Sequence, residues 1–356
     1  MDVSKHFCRI LNIDPIQRTV TVEPGVVRDE LNDQLKDYGL FFGPNTSTSN
    51  RCMIGGMVGN NSSGTTSIQY GVTRDKVRSI EAILSDGSQV LFSELSLDEL
   101  NNKKKLDTLE GKIYRDLISQ LSNPNLHKEI QKNFPDPSIH RRNTGYAIDE
   151  LIKRQPFTSN GSLFSLCPLL TGSEGTLAFT TAITLSLDLI PPPHKKMVVA
   201  HFSSIKACLS SVAPAMKHSL QTCEMMDKTI LDCTLNNKQQ LANRFFVEGD
   251  PKALLMLEIA AESPKKLDQE IDQLLTTLRS LKTAYALPVL EGQQIQQAME
   301  LRKAGLGLLG NMIGDRKAVA CIEDTAVPLD DLASYIDEFS SLMETFDQKA
   351  VYYAHA

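Results

Sequence analysis

The chain has 356 residues, of which 41% are hydrophobic and 22% are charged, and this composition is typical of a folded globular protein. Its length allows two domains with separate cores. The formal net charge of -6 disfavours a nucleic-acid-binding surface, which requires a basic face, and the sequence contains no apolar run long enough to span a membrane.

The seven cysteines are scattered along the chain and never form a C-x-x-C pair. This spacing is typical of reduced thiols rather than of a disulfide framework or a thiolate metal cluster. The sequence also shows no secretion signal. We therefore expect a cytoplasmic protein.

Short apolar runs predict strands in the first part of the chain, at 9–13, 19–23, 79–84 and 89–92. The last two are predicted to form a hairpin, because Asp86 and Gly87 favour the tight turn between antiparallel strands. A helix is predicted to begin near Val27 and to end at Gly39.

Residues 95–140 are polar and charged, and they predict helices or loops inserted into the first domain. The β-branched, apolar stretch 177–189 then predicts a buried strand. Prolines 191–193 interrupt this pattern. They predict a boundary between two domains.

Strands and helices alternate beyond the prolines. Strands are predicted at 197–200, 254–259, 319–322 and 351–353. Helices with one apolar face are predicted at 205–216, 264–281 and 329–345. This order predicts an antiparallel sheet with helices on one face, the ferredoxin-like arrangement, and an α+β fold class.

Two glycine-rich motifs suggest nucleotide binding. GLGLLG at 305–310 matches G-x-G-x-x-G, but it follows a predicted helix rather than a strand, so we interpret it as a packed helix end and not as a nicotinamide site. RCMIGGMVGNNSSG at 51–64 combines glycines with short polar side chains, which allow a polyanion or a flat polar ring to approach the backbone. TGSEGTL at 171–177 repeats this character just before the predicted buried strand.

Several segments share their order and spacing with one family: VEPGV (22–26), FGPNTSTSNRCMIGGMVGNNSSG (42–64), QYGVTRDKV (69–77), NTGYAIDEL (143–151), TGSEGTLAF (171–179), CEMMD (223–227), ELRKAG (300–305), EDTAVP (323–328) and YYAHA (352–356). The chain resembles the vanillyl-alcohol oxidase superfamily, in its branch of D-2-hydroxyacid dehydrogenases. The resemblance implies a PCMH-type FAD-binding domain at 1–192, with an insertion at about 95–140 and without the N-terminal phosphate-loop lobe. It implies a ferredoxin-like substrate (cap) domain at 193–356.

The resemblance implies FAD as cofactor and oxidation of a D-2-hydroxyacid, such as D-lactate or D-2-hydroxyglutarate, by hydride transfer to the flavin. The residues that match cofactor-binding positions are Pro44, Ser47, Thr48, Asn50, Gly55, Gly56, Asn60, Gly64, Tyr70, Gly71, Gly172, Glu174 and Gly175. Arg302 matches an arginine that binds the substrate carboxylate. His355 matches a site histidine that is also the first ligand of a divalent metal, zinc or manganese, in the intact protein.

Three residues need separate comment: Arg302, which is in this set, and Cys52 and Ile322, which are not. Arg302 could be a surface helix arginine paired with Glu300 or Asp315. Cys52 lies close to positions where some relatives attach flavin covalently, and we interpret it as a bystander thiol. Ile322 stands where relatives that act on D-2-hydroxyglutarate carry a lysine for the second carboxylate. This weakens the interpretation of a dicarboxylate substrate, although another residue could substitute, and leaves D-lactate or a similar monocarboxylate open.

The chain departs from the family at both ends. The glycine-rich phosphate loop of the first lobe has no counterpart before Met1, and the chain ends inside the family's H-x-G-x-G-x-x-H metal motif. We therefore expect a fragment of a longer dehydrogenase that binds FAD weakly and is inactive alone. Larger members with a similar insertion carry an iron-sulfur cluster in a further C-terminal domain.

The expected partners are a 2-hydroxyacid and an electron acceptor, namely a quinone, a cytochrome or an iron-sulfur protein. The expected location is the cytoplasm or the inner face of a membrane. Two alternatives stay open at this point. A flavin oxidase acting on an alcohol or sugar would consume oxygen, and a non-catalytic remnant of the fold would bind no flavin.

Overall fold

The structure, a computed structural model, describes residues 3–142, 145–235, 237–311, 314–315, 317–319, 321–322 and 325–355. The chain forms two compact units. The first comprises Met1–Gly64 and Tyr70–Ile190, and the second comprises Thr65–Gln69 and Pro191–Ala356.

The first unit is built on a five-stranded antiparallel sheet. Its strands, with those of a separate two-stranded pair, are β1 (Ile10–Asp14), β2 (Thr19–Val22), β3 (Leu40–Phe41), β4 (Val77–Ile83), β5 (Gln89–Phe92), β6 (Phe179–Ser186) and β7 (Asp188–Leu189). The sheet order is β1-β2-β6-β4-β5, and β3 pairs with β7. Alternate residues such as Val20, Val22, Ile80 and Ile183 point into the core, so one face of the sheet is buried.

The predicted local signals are confirmed in this unit. β4 and β5 form the hairpin, and Gly87 adopts a φ of +85° in its turn. The helix after β2 continues as a 3-10 turn and ends at Gly39, whose φ of +68° is the left-handed conformation that glycine adopts without steric cost.

The helices in the first half of the chain are α1 (Arg28–Leu35), α2 (Ile54–Asn60), α3 (Ser67–Tyr70), α4 (Thr73–Lys76), α5 (Leu97–Lys105), α6 (Leu109–Leu121), α7 (Pro124–Asn133), α8 (Ile148–Ile152) and α9 (Cys167–Leu170). The predicted insertion is formed by α5, α6 and α7. Its first helix begins with a capping box, in which Ser96 and Glu99 exchange hydrogen bonds with each other's backbone N–H groups. α6 contributes Tyr114, Ile118 and Leu121 to the core of the unit.

The second unit contains a larger antiparallel sheet. Its strands are β8 (His194–Phe202), β9 (Leu220–Asp227), β10 (Ala253–Ala261), β11 (Ala284–Ala286), β12 (Val289–Glu291) and β13 (Tyr353–His355). The order is β11-β8-β10-β9-β13, and β12 also pairs with β8. Helices connect β8 to β9 and β10 to β11, which confirms the ferredoxin-like arrangement.

Helices cover both faces of this sheet, whereas the sequence predicted helices on one face. The helices are α10 (Ile205–Ser210), α11 (Val212–Ala215), α12 (Lys228–Leu235), α13 (Lys238–Leu241), α14 (Pro264–Leu281), α15 (Gln293–Leu308) and α16 (Leu332–Thr345). α10, α11 and α14 pack on one face, and α12 and α15 pack on the other. All nine residues of β10 are buried, which is the burial expected of a strand covered on both sides.

Two strand predictions near the end of the chain are wrong. Val319, Cys321 and Ile322 are exposed and belong to no strand, and Ala320 lies outside the described residues. The last strand is Tyr353–His355, two residues later than predicted. Asn143, Thr144, Glu323 and Asp324, which belong to two of the family-like segments, also lie outside the described residues. None of the helices in the described part of the chain is long and apolar enough to cross a bilayer.

Candidate functional site

The glycine-rich segment of the first unit forms the short helix α2. Its adjacent glycines, Gly55 and Gly56, have different surroundings. Ile54, Met57 and Val58 are buried in the core, so the opposite side of the helix faces outward. A Cβ on Gly55 would lie 2.5 Å from the Cβ of Pro24, and therefore this glycine is required for packing. A Cβ on Gly56 would meet nothing within 4 Å. Gly56 is the glycine that leaves open space in front of the backbone.

A cavity of about 370 Å³ lies beside Gly56. Its lining consists of Val3, Thr46, Thr48, Arg51, Cys52, Met53, Gly56, Met57 and Ser62. Thr48 and Gly56 were predicted as cofactor-binding residues. Cys52 lines the same cavity as a free thiol, and the Oγ1 of Thr46 donates to its sulfur at 3.2 Å.

The second predicted loop, at 171–176, is bound to the end of α2. The N–H groups of Gly172 and Glu174 donate to the carbonyl oxygens of Val58 and Gly59, each at 2.8 Å. The Asn60 side chain donates from Nδ2 to Oε1 of Glu174 at 3.1 Å. The structure thus brings together two predicted segments that lie more than one hundred residues apart in sequence.

The backbone of this loop turns through left-handed conformations. Gly172, Glu174 and Gly175 have φ values of +91°, +52° and +69°. Glycine adopts this region freely, but Glu174 adopts it at a cost, and strained residues of this kind concentrate at binding sites. A Cβ on Gly175 would meet nothing within 4 Å, so this part of the loop is also open.

Three side chains outside the predicted list support the two segments. Arg141 donates to the Oγ of Ser63 at 3.2 Å, and the Tyr146 hydroxyl lies 2.8 Å from Oγ1 of Thr176. Arg74 donates to the carbonyl oxygen of Thr171 at 2.7 Å. Burial lowers the pKa of the Arg74 guanidinium below its ordinary value. The short segment containing Arg74 was part of the family-like pattern, but its role was not evident from sequence.

The other predicted cofactor residues divide into packed and exposed groups. Pro44 is buried, and its carbonyl oxygen accepts from Nε of Arg28 at 3.2 Å. A Cβ on Gly64 would overlap the carbonyl oxygen of Asn45, and the Tyr70 ring packs on Phe41 with centroids 4.9 Å apart. Gly71 has a φ of +73°, and a Cβ there would overlap the Asp75 carboxylate. These four residues have packing roles.

Ser47, Asn50, Asn60 and Glu174 are exposed and polar. The cavity beside the open backbone at Gly56 is lined by further short polar side chains, those of Thr46, Thr48 and Ser62. Such a surface fits a cofactor that carries phosphates and a flat polar ring. The assignment of individual residues to cofactor contacts stays a prediction.

The second unit holds the other two predicted site residues. Arg302 lies on α15 and is 3% exposed. It forms an ion pair with the fully buried Glu224 of β9. Its Nη1 donates to the Tyr353 hydroxyl at 2.6 Å, and its Nη2 donates to the Ala354 carbonyl oxygen at 3.2 Å. The alternative of a surface arginine paired with Glu300 or Asp315 is therefore wrong.

Tyr353 contacts Arg302 in a second way. The guanidinium carbon lies 4.0 Å from the centroid of the Tyr353 ring, which is a cation–π distance. Burial raises the pKa of the Tyr353 hydroxyl above its ordinary value of 10.0, so the group is neutral at pH 7. Arg302 is consequently fixed on two sides by one strand, β13.

His355 shares the carboxylate of Glu224 with Arg302. Glu224 and His355 are directly paired across β9 and β13, and Nδ1 of His355 lies 3.9 Å from Oε1 of Glu224. Within the residues that the structure describes, no group of three His, Cys, Asp or Glu side chains converges. A divalent metal therefore does not fit the described residues, because His355 lacks a sufficient set of co-ligands there.

Glu224 and Tyr353 were missed as individual site residues, although both lie in segments of the family-like pattern. The signal for Glu224 was an acidic residue inside an otherwise apolar strand. Buried charges of this kind require a counter-ion. No comparable signal marked Tyr353, since a tyrosine in a strand is usually a packing residue.

The motif GLGLLG does not form a nucleotide-binding turn. Gly305 and Gly307 lie inside α15, and a Cβ on Gly305 would overlap the side chain of Ile230 on α12. The motif does not follow a strand, as a dinucleotide fingerprint must. This confirms the interpretation as a packed helix end.

Comparison with known families decides the assignment. Residues 1–93 match the family model described as FAD binding domain, and residues 191–356 match the model described as FAD linked oxidases, C-terminal domain. The chain belongs to the family of FAD-linked oxidases. The matches confirm the predicted α+β fold class, with an FAD-binding domain followed by an oxidase C-terminal domain, and FAD as the cofactor.

The chain is similar in sequence to D-2-hydroxyglutarate dehydrogenases. It is 33% identical to the D-2-hydroxyglutarate dehydrogenase of Pantoea ananatis (strain AJ13355), over 97% of this chain and 34% of the relative. It is 31% identical to the D-2-hydroxyglutarate dehydrogenase of Escherichia coli (strain K12), again over 97% of this chain and 34% of the relative. The chain thus spans about one third of the length of these relatives.

The expectation of a fragment and the expected inactivity of the isolated chain both stay predictions. Among solved structures, an alkyldihydroxyacetonephosphate synthase matches with a TM-score of 0.53 and 14% identity, over 86% of this chain and 46% of that chain. This likeness shows the fold alone.

Proposed function

We propose that the chain forms the FAD-binding and substrate-binding parts of a dehydrogenase that oxidises a D-2-hydroxyacid to the 2-oxoacid. The observation that carries this proposal is the buried guanidinium of Arg302. Its Nε is buried and has no hydrogen-bond acceptor among the described residues. A buried donor without an acceptor costs free energy, and a substrate carboxylate would satisfy it.

The roles follow from the chemistry of the reaction. Arg302 binds the carboxylate and thereby orients the α-carbon. His355 accepts the proton of the α-hydroxyl at a ring nitrogen as the carbonyl forms. Bound FAD would supply the acceptor for the hydride that leaves the α-carbon. Ser47, Thr48, Asn50, Gly56 and Asn60 would hold the cofactor through short polar side chains and open backbone.

D-2-hydroxyglutarate is the first substrate to test, because the relatives named above are D-2-hydroxyglutarate dehydrogenases. D-lactate is the second candidate. Ile322 occupies the position where relatives that act on D-2-hydroxyglutarate carry a lysine, and it is 53% exposed in this structure. An isoleucine cannot pair with a second carboxylate.

We further propose a cytoplasmic location and a quinone, a cytochrome or an iron-sulfur protein as electron acceptor. The support for the location is the state of the cysteines, all seven of which are free thiols. A dehydrogenase that passes its electrons to such an acceptor would reduce a redox dye without consuming oxygen.

The test is the visible spectrum, without oxygen, of the FAD-loaded protein expressed from the uninterrupted natural gene. We expect D-2-hydroxyglutarate or D-lactate to bleach the oxidised flavin, and the matching L-enantiomer to leave it unchanged. Oxygen consumption with an alcohol or sugar would favour the oxidase alternative. A chain that retains no flavin after reconstitution with FAD would contradict the proposal.

A further inference from the structure

The carboxylate of Glu224 lies inside the second unit, on a face of β9 where Thr222 is its polar neighbour and methionines are its apolar neighbours. Its cross-strand neighbour on β10 is Met256, and Met226 lies two residues along on the same face. Both methionines belong to the hydrophobic cluster under α12 and α15. An ionised carboxylate is stable in such surroundings only when a counter-ion is present. Arg302 provides it.

The guanidinium of Arg302 is held in one orientation. Glu224, the Tyr353 hydroxyl and the Ala354 carbonyl oxygen engage its two terminal nitrogens, and the Tyr353 ring packs on its plane. Rotation of the side chain would break several of these contacts at once. The remaining N–H donors, on Nε and on Nη1, are therefore held at fixed places.

Glu224 also determines the charge that a ligand meets. The guanidinium and the carboxylate together carry no net charge, so a substrate carboxylate approaches a neutral pair rather than an isolated cation. Its attraction to Arg302 is offset by repulsion from Glu224. A carboxylate alone then binds weakly, and further contacts, such as those of an α-hydroxyl group, must contribute to affinity.

We infer that Glu224 is a positioning residue of the proposed dehydrogenase: it is the fixed counter-ion that orients Arg302 and lowers the affinity of the site for a simple carboxylate. The role of Glu224 in turnover rests on the proposed function. Its role as counter-ion rests on the contacts of Arg302 alone. The two parts of the inference are therefore tested separately.

The test compares Glu224→Gln with a matched control, Glu258→Gln. Glu258 lies on the neighbouring strand β10, on the same face of the sheet, and is 7% exposed. It is paired with Lys195 at 3.0 Å rather than with Arg302. Both substitutions replace a buried, paired carboxylate by an amide of the same shape, and they differ in the cation that is affected.

The first measurement is propionate binding. It is detected as the shift of the thermal unfolding midpoint when the propionate concentration rises. Propionate has a carboxylate but no hydroxyl group, so it cannot be oxidised. We expect Glu224→Gln to bind propionate about 10-fold more tightly than the wild type, because the repulsion is removed. Glu258→Gln is expected to match the wild type. Unchanged or weaker binding by Glu224→Gln would overturn the inference.

The second measurement is turnover of D-2-hydroxyglutarate by the FAD-loaded protein. We expect Glu224→Gln to lower KM and to lower kcat by about 100-fold, because a carboxylate bound by a loosely held arginine is misplaced for reaction. A purely structural role would not lower KM. If the wild type reduces no flavin with any hydroxyacid, the proposed function fails, and the propionate comparison still decides the role of Glu224.

A double variant covers the case in which Glu224→Gln does not fold. Arg302→Gln leaves a buried carboxylate without its cation, so its thermal midpoint is expected to fall. Adding Glu224→Gln to it removes the stranded charge and is expected to restore part of the lost midpoint. Effects that simply add would contradict the counter-ion relation.

Discussion

His201 lies fully buried in β8, and two backbone groups hold its ring. Nδ1 lies 3.0 Å from the Val199 carbonyl oxygen, and the backbone N–H of Glu248 donates to Nε2 at 3.1 Å. Because Nε2 accepts a hydrogen bond, the ring is neutral and carries its proton on Nδ1. Burial lowers the pKa of His201 below its ordinary value of 6.5.

This lowered pKa predicts a loss of stability in mild acid. The contribution of His201 is fully present above pH 6.5 and is lost as the pH falls below that value toward the folded-state pKa. The free energy of unfolding should then decrease by up to about 1.4 kcal/mol per pH unit from this residue.

Urea unfolding at pH 7.5 and at pH 5.5 measures this effect, with His201→Gln as the comparison. Glutamine can accept from the Glu248 N–H and does not titrate, so the decrease between the two pH values should be smaller in the variant. Equal decreases in both proteins would contradict the assignment, since the other titrating groups are common to the two.

Thr222 lies two residues before Glu224 on β9 and is 5% exposed. Its Oγ1 is buried and has no hydrogen-bond partner among the described residues. Thr222→Val removes this unsatisfied hydroxyl, and we expect the free energy of unfolding to rise by about 1 kcal/mol. Thr222→Ser keeps the hydroxyl but loses a buried methyl group, and should lower it by a similar amount. Thermal unfolding of both variants shows whether each is more or less stable than the wild type. A destabilised valine variant would show that the hydroxyl is satisfied in the folded protein.

At the scale of the element, helix α2 contains two adjacent glycines with opposite surroundings. Gly55 packs against Pro24, and Gly56 faces the cavity lined by Thr48 and Cys52. A consecutive pair in one helix is a matched test, because the cost of glycine to the helix is the same at both positions.

We expect Gly55→Ala to lower the free energy of unfolding by about 1–2 kcal/mol, because the added Cβ overlaps Pro24. Gly56→Ala should raise it by up to about 1 kcal/mol through helix propensity, and it should weaken FAD binding by narrowing the cavity. Urea unfolding and FAD titration measure the two effects. If Gly56→Ala binds FAD with unchanged affinity, the cofactor does not occupy the cavity beside Gly56.

The sheet of the second unit shows how an element limits what a sequence can predict. The apolar run at 254–259 predicted a strand, and the structure confirms it as part of β10, all of whose residues are buried. The same run did not indicate whether helices cover one face of the sheet or both, because a strand buried on both faces has no polar side. Helices α12 and α15, which cover the second face, bring Arg302 to Glu224.

At the scale of the whole molecule, each unit has its own hydrophobic core. The first contains one large cluster around its five-stranded sheet, and the second contains a cluster on each face of its sheet. The fold supports FAD-linked oxidation in general. We expect the choice of substrate to depend on the few polar side chains around Arg302, since one fold can serve many substrates.

The sequence by itself determined the local structure and the family. The Asp86–Gly87 turn, the end of a helix at Gly39 and the apolar stripe of α14 depend on neighbours in the chain, and such short-range signals are visible in a sequence. The glycine-rich segments indicated close approach of a polyanion or a flat polar ring, because small residues leave the backbone open, and the family resemblance implied FAD.

The tertiary structure alone decided which of the candidate site residues are in contact. Glu224, Arg302 and Tyr353 lie on two strands and a helix that are distant in the chain, and strand pairing places them in contact. The structure also separated Gly55, which is needed for packing, from Gly56, which leaves space. Both distinctions depend on tertiary contacts that form only when the chain folds. No local sequence pattern encodes such contacts.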